Sequence, residues 1–233
     1  MFTNLSAKNN SALHLGLSTK SDGSMKNAPE NRAAFFESQN LGEKIIIFAD
    51  LAHTDKVIIV DDVAENKIIP NYDALITSDP KQILALTVAD CLPIYFYDEA
   101  KKVIALAHAG WRGVASEIVK NVVSMMNEHY NSNPSDIVVF IGPHIHDCHF
   151  EIGEELVEKF SAKSIIHRDG QIFVDLAKEV SAQLVASGIL PNKIEVSAEC
   201  TYCLRDKYFS FRRDKPEQLE TMVAYIGLIN FIK

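Results

Sequence analysis

The sequence has few cysteines and no long apolar run, and each scarcity excludes a class of protein. Four cysteines among 233 residues are too few for a disulfide scaffold, and a reducing compartment would keep them as thiols. No segment approaches the roughly 18 consecutive apolar residues of a transmembrane helix. The first residues do not form a basic stretch followed by an apolar one, as a secretory signal would. These features predict a cytoplasmic protein.

Basic side chains are also scarce relative to acidic ones, at 23 against 31, which gives a formal net charge of -8. This excess of negative charge disfavours nonspecific binding to nucleic acid or to an anionic membrane. The sequence contains no internal repeat, which argues against a solenoid. We therefore expect the partners to be small molecules.

The composition fits one domain spanning residues 1–233. Hydrophobic residues make up 47% of the chain and charged residues 23%, enough to bury a full core. Apolar runs of strand length alternate with segments of helical periodicity, and several neighbouring runs are too close together for a helical crossover. The pattern predicts an α/β fold with a single mixed sheet and helices packed on its outside, and not a Rossmann domain.

The periodicity of apolar residues and the turn residues between them give approximate boundaries. Predicted strands cover residues 12–18, 45–48, 57–60, 73–77, 83–88, 93–97, 103–107, 137–141, 194–197, 208–211 and 223–229. Predicted helices cover residues 31–38, 114–129, 153–160 and 173–187, and the last of these ends before Gly188.

The most informative residues are a cysteine and two histidines close to predicted strands. Cys91 lies in the sequence Asp-Cys-Leu-Pro at residues 90–93, and His108 begins the sequence His-Ala-Gly-Trp-Arg-Gly at residues 108–113. His53 lies between two predicted strands. Two histidines and one cysteine leave a fourth position open, as in catalytic zinc sites. A buried apolar cysteine and hydrogen-bonded histidines are the alternative interpretation.

Arg112 follows the histidine motif directly and is bracketed by Gly110 and Gly113. The start of a predicted helix at this point would present unpaired backbone N–H groups, which favour an anion. The guanidinium would add a bidentate donor for phosphate or carboxylate. A surface ion pair is the alternative for Arg112, and we expect Trp111 to contribute packing.

Two other groups of potential ligands are harder to interpret. Cys200 and Cys203 have CxxC spacing, but a redox CxxC normally opens a helix and a zinc ribbon needs a second pair, so the sequence argues against both. Residues 144–149 contain His144, His146, His149 and one cysteine. We interpret them as a loop near the mouth of the active site, with auxiliary metal binding as the weaker alternative.

Four ordered motifs together resemble one known family. They are residues 87–93 (Thr-Val-Ala-Asp-Cys-Leu-Pro), 107–113 (Ala-His-Ala-Gly-Trp-Arg-Gly), 141–143 (Ile-Gly-Pro) and 209–214 (Phe-Ser-Phe-Arg-Arg-Asp). This combination resembles the laccase-domain, or YfiH-like, family of multicopper polyphenol oxidase-type proteins, which are also described as purine nucleoside phosphorylases. The resemblance extends from about residue 15 to residue 213.

The resemblance implies a single α/β domain with a metal held by His53, Cys91 and His108. It implies phosphorolysis of adenosine, inosine and methylthioadenosine, together with adenosine deamination, whereas copper-dependent phenol oxidation has also been attributed to the family. In the purine chemistry, Cys91, His108 and Arg112 would be the catalytic residues. Phosphate would bind Arg112, with Arg212 or Arg213 as the alternative.

The ligand set favours zinc over copper. A multicopper oxidase needs several copper sites and more histidines than the eight present, whereas one Cys/His/His site with an open position suits zinc. Copper can displace zinc from such a site. We therefore predict a zinc-dependent purine nucleoside enzyme. The alternatives are a copper polyphenol oxidase, a noncatalytic module that the metal stabilises, and a hydrolase of cell-wall precursors.

The sequence departs from the family pattern beside the predicted site. Leu51 and Ala52 replace the glutamine and valine that precede the first histidine, and Thr54 replaces the glycine that follows it. Lys20 occupies the position of a common arginine, and the Gly-Arg segment after Arg213 is missing. Asp90 precedes a ligand, but neighbouring strand residues point to opposite faces, so a structural role is favoured over proton transfer.

Overall fold

The computed structural model describes residues 13–229. Its strands are β1 Leu13–Leu17, β2 Ile45–Asp50, β3 Val57–Ile59, β4 Lys67–Pro70, β5 Ala74–Thr77, β6 Gln82–Val88, β7 Leu92–Asp98, β8 Val103–Ala109, β9 Val138–Ile141, β10 Glu151–Ile152, β11 Ile165–Arg168, β12 Gln171–Val174, β13 Ile194–Val196 and β14 Met222–Leu228. Its α-helices are α1 Pro29–Ser38, α2 Trp111–Ala115, α3 Ile118–Tyr130, α4 Leu176–Ala186 and α5 Phe211–Asp214. Short 3-10 helices cover Lys20–Asp22, Pro134–Asp136, Glu154–Lys159 and Pro191–Lys193.

The strands form two large mixed sheets and one small sheet. The five-stranded sheet has the order β1-β14-β6-β2-β4, and the six-stranded sheet has the order β13-β9-β7-β8-β5-β3. The small antiparallel sheet has the order β10-β12-β11. The predicted mixed α/β class is confirmed, although the strands are divided among three sheets and not gathered in one. Every residue of β6, β7 and β8 is buried, so both faces of each large sheet must be covered.

The two large sheets pack against each other through one face of each. Leu84 and Leu86 of β6 share a buried cluster with Tyr95 of β7 and Leu106 of β8. Successive residues of a strand point to opposite faces, so Ala105 of β8 lies on the other side of its sheet. Fully burying one such large side chain contributes about 1.5–3 kcal/mol. The space between the sheets is thus a continuous apolar core.

Helices cover the two outer faces, which gives four layers. Phe35 and Phe36 of α1 pack on Ile83 of β6, on the outer face of the five-stranded sheet. On the outer face of the six-stranded sheet, Val122 of α3 and Val180 of α4 are buried with the alanines of β8. Helices packed outside the sheets agree with the prediction. None of the helices within residues 13–229 is long and apolar enough to cross a membrane.

Several predicted element boundaries are wrong for local reasons. The helix predicted over residues 114–129 is broken at Glu117, whose φ of 59° is left-handed, so α2 and α3 are separate. The helix predicted over residues 173–187 is a strand followed by a helix, because the Asp175 carboxylate caps α4 by accepting from the Lys178 N–H at 2.8 Å. The helix predicted over residues 153–160 is a 3-10 helix, Glu154–Lys159, and the strand predicted over residues 208–211 is irregular up to Phe211, where α5 begins. Strands β4, β10, β11 and β12 were not predicted as strands.

Candidate functional site

The fold brings the three sequence-predicted ligands together. Cys91 directly precedes β7 and His108 is the penultimate residue of β8, and these strands pair with Leu92 opposite Ala109. His53 lies in the loop between β2 and β3 with a left-handed φ of 55°. One ligand atom from each of the three residues lies within 4.8 Å of the others. Strand pairing therefore fixes the two central candidate ligands, and the loop supplies the third.

Asp73 contacts both His108 and the loop that carries His53. It directly precedes β5, which pairs with β8, and its Oδ1 lies 2.9 Å from Nδ1 of His108. The same carboxylate accepts the backbone N–H groups of Ala52, His53 and Thr54 at 3.2 Å, 3.0 Å and 2.8 Å respectively, and the Thr54 hydroxyl at 3.0 Å. A buried carboxylate thus orients one ligand and fixes the loop of another, a common outer-shell arrangement in metal sites.

The sequence reasoning did not identify Asp73. Its signal is weak, since a single aspartate before an apolar strand is common at surfaces, and 35 positions separate Asp73 from the histidine that it contacts. In the structure Asp73 is completely buried. Burial without partners would cost a carboxylate several kcal/mol, so the five donors around it are what allow its charge to persist.

The charges in the cluster shift the pKa values of its members. Burial disfavours protonation of His108, but the Cys91 thiol and the Asp73 carboxylate outweigh burial and raise the pKa of His108 to about 9. Burial and the neighbouring His108 lower the pKa of His53. Because Asp73 engages Nδ1 of His108, its Nε2 is the nitrogen left to bind a metal, and a metal would have to displace the proton there.

Gly110 leaves room at the centre of the cluster. A Cβ at this position would lie 3.1 Å from Sγ of Cys91 and 3.4 Å from Nδ1 of His53. The contact with Sγ would be tighter than ordinary van der Waals separation, and both contacts fall on atoms that could bind a metal. The absence of a side chain at Gly110 therefore keeps the donor atoms accessible, and the donor set fits a metal ion with an open position.

A cavity of about 410 Å³ opens onto the cluster. This volume lies in the range of about 300–1,000 Å³ that is typical of small-molecule sites. The walls combine apolar and aromatic side chains with three basic ones, and the latter are Lys26, Arg112 and Arg212. In a chain of net charge -8, three basic side chains around one cavity favour an anionic ligand.

The structure places the three candidate phosphate-binding arginines differently. The exposed Arg112 lies over the Trp111 ring at 4.3 Å and lines the cavity. Arg212 also lines the cavity, and its Nη1 donates to the Glu151 carbonyl at 2.8 Å. Arg213 does not line this cavity, because its guanidinium donates to backbone carbonyls and to Asp214. Helix α2 has only five residues, so the Arg112 side chain carries most of the positive charge at this position.

Asp90 lines the cavity and forms hydrogen bonds with residues 201–212. Its carboxylate accepts the Thr201 hydroxyl at 2.6 Å, the Ser210 hydroxyl at 2.9 Å and the Arg212 N–H at 2.7 Å. Its backbone has a left-handed φ of 81°, and its carbonyl accepts the Ile145 N–H. With both carboxylate oxygens engaged by protein donors, the geometry supports the structural role favoured from the sequence.

Replacing Asp90 by alanine is expected to lower the free energy of unfolding by about 2–4 kcal/mol, because buried donors would lose their acceptor. Thermal or denaturant unfolding measures this loss. Asp206→Ala is the control, since Asp206 is exposed and does not line the cavity. Equal stability of the two variants would contradict a structural role for the Asp90 carboxylate.

Comparison with known proteins identifies the family of this chain. The family described as multi-copper polyphenol oxidoreductase laccase matches residues 3–229. The chain belongs to this family. A purine nucleoside phosphorylase of Clostridium acetobutylicum is 36% identical over 168 residues, which cover 70% of this chain and 68% of that protein. The purine nucleoside phosphorylase YfiH of Escherichia coli is 31% identical over 207 residues, which cover 86% and 80%.

Solved structures of family members have the same fold. The structure of YlmD from Geobacillus stearothermophilus gives a TM-score of 0.87 at 27% identity and covers 94% of this chain and 93% of its own. The structure of a YfiH protein from Bacillus licheniformis gives a TM-score of 0.86 at 29% identity, with 93% of each chain covered. The resemblance to the YfiH-like family noted in the sequence is thereby confirmed.

Proposed function

We propose that this protein is a zinc-dependent purine nucleoside phosphorylase that acts on adenosine, inosine and methylthioadenosine, with adenosine deamination as a second activity. The observation that carries the proposal is the His53, Cys91 and His108 cluster facing a cavity that three basic side chains line. The names of the curated relatives support the phosphorolytic activity. The cytoplasmic location predicted from the sequence stays a prediction.

The donor set supports zinc as the metal. One thiol and two imidazoles with space beside Gly110 match the three-ligand sites of catalytic zinc. A zinc ion bound there would supply Lewis acid polarisation of a substrate oxygen or activation of a water. In this arrangement Asp73 holds His108 in the tautomer that presents Nε2, and its bonds to the backbone of residues 52–54 fix the position of His53.

The cavity offers complementary surfaces to the two substrates of phosphorolysis. Phe150 and Trp111 are among its apolar and aromatic walls, which suit the flat purine ring. Arg112 offers a planar fork of donors to a phosphate, while Lys26 adds a point charge. In the reaction a phosphate oxygen bonds to C1′ of the ribose as the bond from C1′ to the purine nitrogen breaks. The departing base takes up a proton.

Phosphorolysis fits the lining residues better than deamination does. Zinc deaminases use a glutamate as the proton carrier at the attacking water. Among residues 13–229 no glutamate lines the cavity, and the one carboxylate that does, Asp90, is occupied by three protein donors. We therefore place phosphorolysis first and assign deamination the slower rate.

Incubation of the zinc-loaded protein with inosine and phosphate should release hypoxanthine and ribose 1-phosphate, which chromatography separates. Adenosine should give adenine as the main product and inosine as the minor one. Absence of free base from adenosine, inosine and methylthioadenosine, with zinc-loaded protein, would contradict the proposal. Oxygen uptake with a phenol in proportion to bound copper would favour the oxidase named by the family description.

Arg112→Ala is expected to raise the KM for phosphate by about 10- to 100-fold, since a hydrogen bond to a charged group contributes about 1.5–3 kcal/mol. The KM for the nucleoside should change much less. Steady-state kinetics with varied phosphate measure the effect. Arg205→Ala is the matched control, because Arg205 is exposed and does not line the cavity. An unchanged KM for phosphate in Arg112→Ala would remove this residue from the phosphate site.

A further inference from the structure

A second group of cysteine and histidine side chains includes two residues of the loop that contributes Ile145 and Phe150 to the cavity wall. It consists of Cys148, His149, Cys200 and Cys203, and one ligand atom from each lies within 4.8 Å of the others. We propose that these four residues bind a structural zinc ion, separate from the His53, Cys91 and His108 cluster. Three thiolates and one imidazole are a complete tetrahedral set for zinc, and a closed set of four protein ligands is typical of structural sites.

Four of the six distances between the ligand atoms can be compared with those of a tetrahedral zinc site. Sγ of Cys148 lies 3.7 Å from Sγ of Cys200 and 3.7 Å from Sγ of Cys203. With zinc–sulfur bonds of about 2.3 Å, two thiolates of a tetrahedron lie about 3.8 Å apart. Nδ1 of His149 lies 3.1 Å from Sγ of Cys148 and 3.4 Å from Sγ of Cys203, somewhat shorter than the separation of about 3.6 Å expected between a nitrogen and a sulfur ligand.

Backbone hydrogen bonds and ring stacking in the surrounding structure position the four residues. Residues 200–203 form a turn, and His144 pairs with Cys200 in an isolated parallel bridge, with its carbonyl accepting the Thr201 N–H at 3.0 Å. The His149 ring stacks on Tyr202 with a centroid separation of 3.9 Å. Two chain segments more than 50 positions apart thus converge on one point, each with two ligands. Such preorganisation lowers the cost of ordering the ligands when a metal binds.

The proposal differs from the sequence argument against zinc at the CxxC pair. A zinc ribbon needs a second pair of ligands with CxxC spacing, whereas the second pair proposed here is Cys148 and His149, which are adjacent in sequence. The pair Cys200 and Cys203 does not open a helix, as a redox CxxC normally does. Three thiols that are mutually close, together with an imidazole nitrogen, match a metal site better than a dithiol couple.

A metal at this position would tie together two segments that shape the cavity. Ile145 and Phe150, on either side of Cys148 and His149 in the sequence, line the cavity. Thr201, in the turn with the other two ligands, donates to Asp90, which precedes Cys91. The zinc would therefore act as a crosslink that keeps the cavity wall in position, and its loss should loosen the wall without removing the ligands of the first cluster.

Metal analysis of the native protein and of two matched serine variants tests the proposal. The protein, purified under reducing conditions and loaded with zinc, should contain about two ions per chain, one for each ligand set. Cys203→Ser and Cys91→Ser should each lose about one of them, and the double variant should lose both. Cys203 is exposed, so its replacement by serine is expected to leave the fold intact, and circular dichroism checks this.

Cobalt substitution distinguishes the two sites without relying on activity. Thiolate-to-cobalt charge-transfer absorption scales with the number of thiolate ligands, so Cys203→Ser should remove most of it, and Cys91→Ser about a quarter. Cys148, Cys200 and Cys203 should resist alkylation in the zinc-loaded protein until a chelator is added. A zinc content that Cys203→Ser leaves unchanged, or alkylation of these three thiols at equal rates with and without the chelator, would overturn the proposal.

Discussion

Replacing Cys91 by serine is expected to remove the metal of the first cluster and to lower phosphorolytic turnover by at least about 100-fold. Loss of an outer-shell partner alone commonly costs about 10- to 100-fold in metal affinity or activity, and Cys91 contributes the one thiol among the three candidate ligands. A serine hydroxyl is a poor ligand for zinc near neutral pH, because it stays protonated. Zinc content and steady-state turnover, measured on the same preparation, test this expectation.

The same variant separates an enzyme from a noncatalytic module. If the metal only stabilised the fold, Cys91→Ser would lower the Tm while any turnover of the preparation would persist. If the proposed function is correct, turnover falls with the zinc content and is not restored by added zinc. Full turnover in a Cys91→Ser protein that lacks zinc at the first cluster would contradict a catalytic role for this cluster. That result would not bear on the separate proposal of a zinc ion bound by Cys203 and its three neighbours.

The central part of the site was predictable because its information is local. Cys91 and His108 belong to motifs beside two consecutive strands, and an antiparallel hairpin places the end of one strand opposite the start of the other. Once β7 and β8 are predicted, the proximity of these two residues follows. Arg112 follows in the same way, since it lies four positions after His108 and α2 begins at Trp111.

Features that depend on contacts between distant segments could not be predicted in this way. Asp73 reaches His108 only because β5 pairs with β8, and sequence periodicity does not specify which strands pair. The convergence of Cys148 and Cys200 depends on the path of two loops. The division of strands between two large sheets is likewise a property of packing, since β6 and β8 are apolar on both faces and their patterns do not distinguish one sheet from two.

Local sequence also failed where one residue overrides a periodic pattern. Apolar residues at helical spacing continue across Ser116 and Glu117, yet the left-handed backbone of Glu117 ends one helix and starts another. Because of the break, α2 places Trp111 and Arg112 in the cavity wall, while α3 packs on the six-stranded sheet. A side chain in this conformation costs of order 1–3 kcal/mol, which the surrounding packing must offset.

Asp73→Asn is expected to lower the zinc affinity of the first cluster by about 10- to 100-fold and to reduce turnover in zinc-limited assays accordingly. One carboxylate oxygen accepts from His53 and faces His108, and the other accepts from Ala52 and from the N–H and hydroxyl of Thr54. An asparagine presents an NH2 group to one of these two sets of donors. The variant therefore loses either the hydrogen bond that fixes the His108 tautomer or the hydrogen bonds that fix the loop of His53. Zinc titration against a competing chelator measures the affinity.

Asp61→Asn separates this effect from a general loss of stability. Asp61 also accepts several hydrogen bonds, from the Thr77 hydroxyl at 2.8 Å, the Ser78 N–H at 2.7 Å and the Tyr130 hydroxyl at 2.8 Å, but it does not line the cavity. Both variants should lower the free energy of unfolding by about 1–3 kcal/mol, because each leaves donors without an acceptor. Only Asp73→Asn should weaken zinc binding. Equal zinc affinities in the two variants would show that Asp73 supports the fold and does not position the ligands.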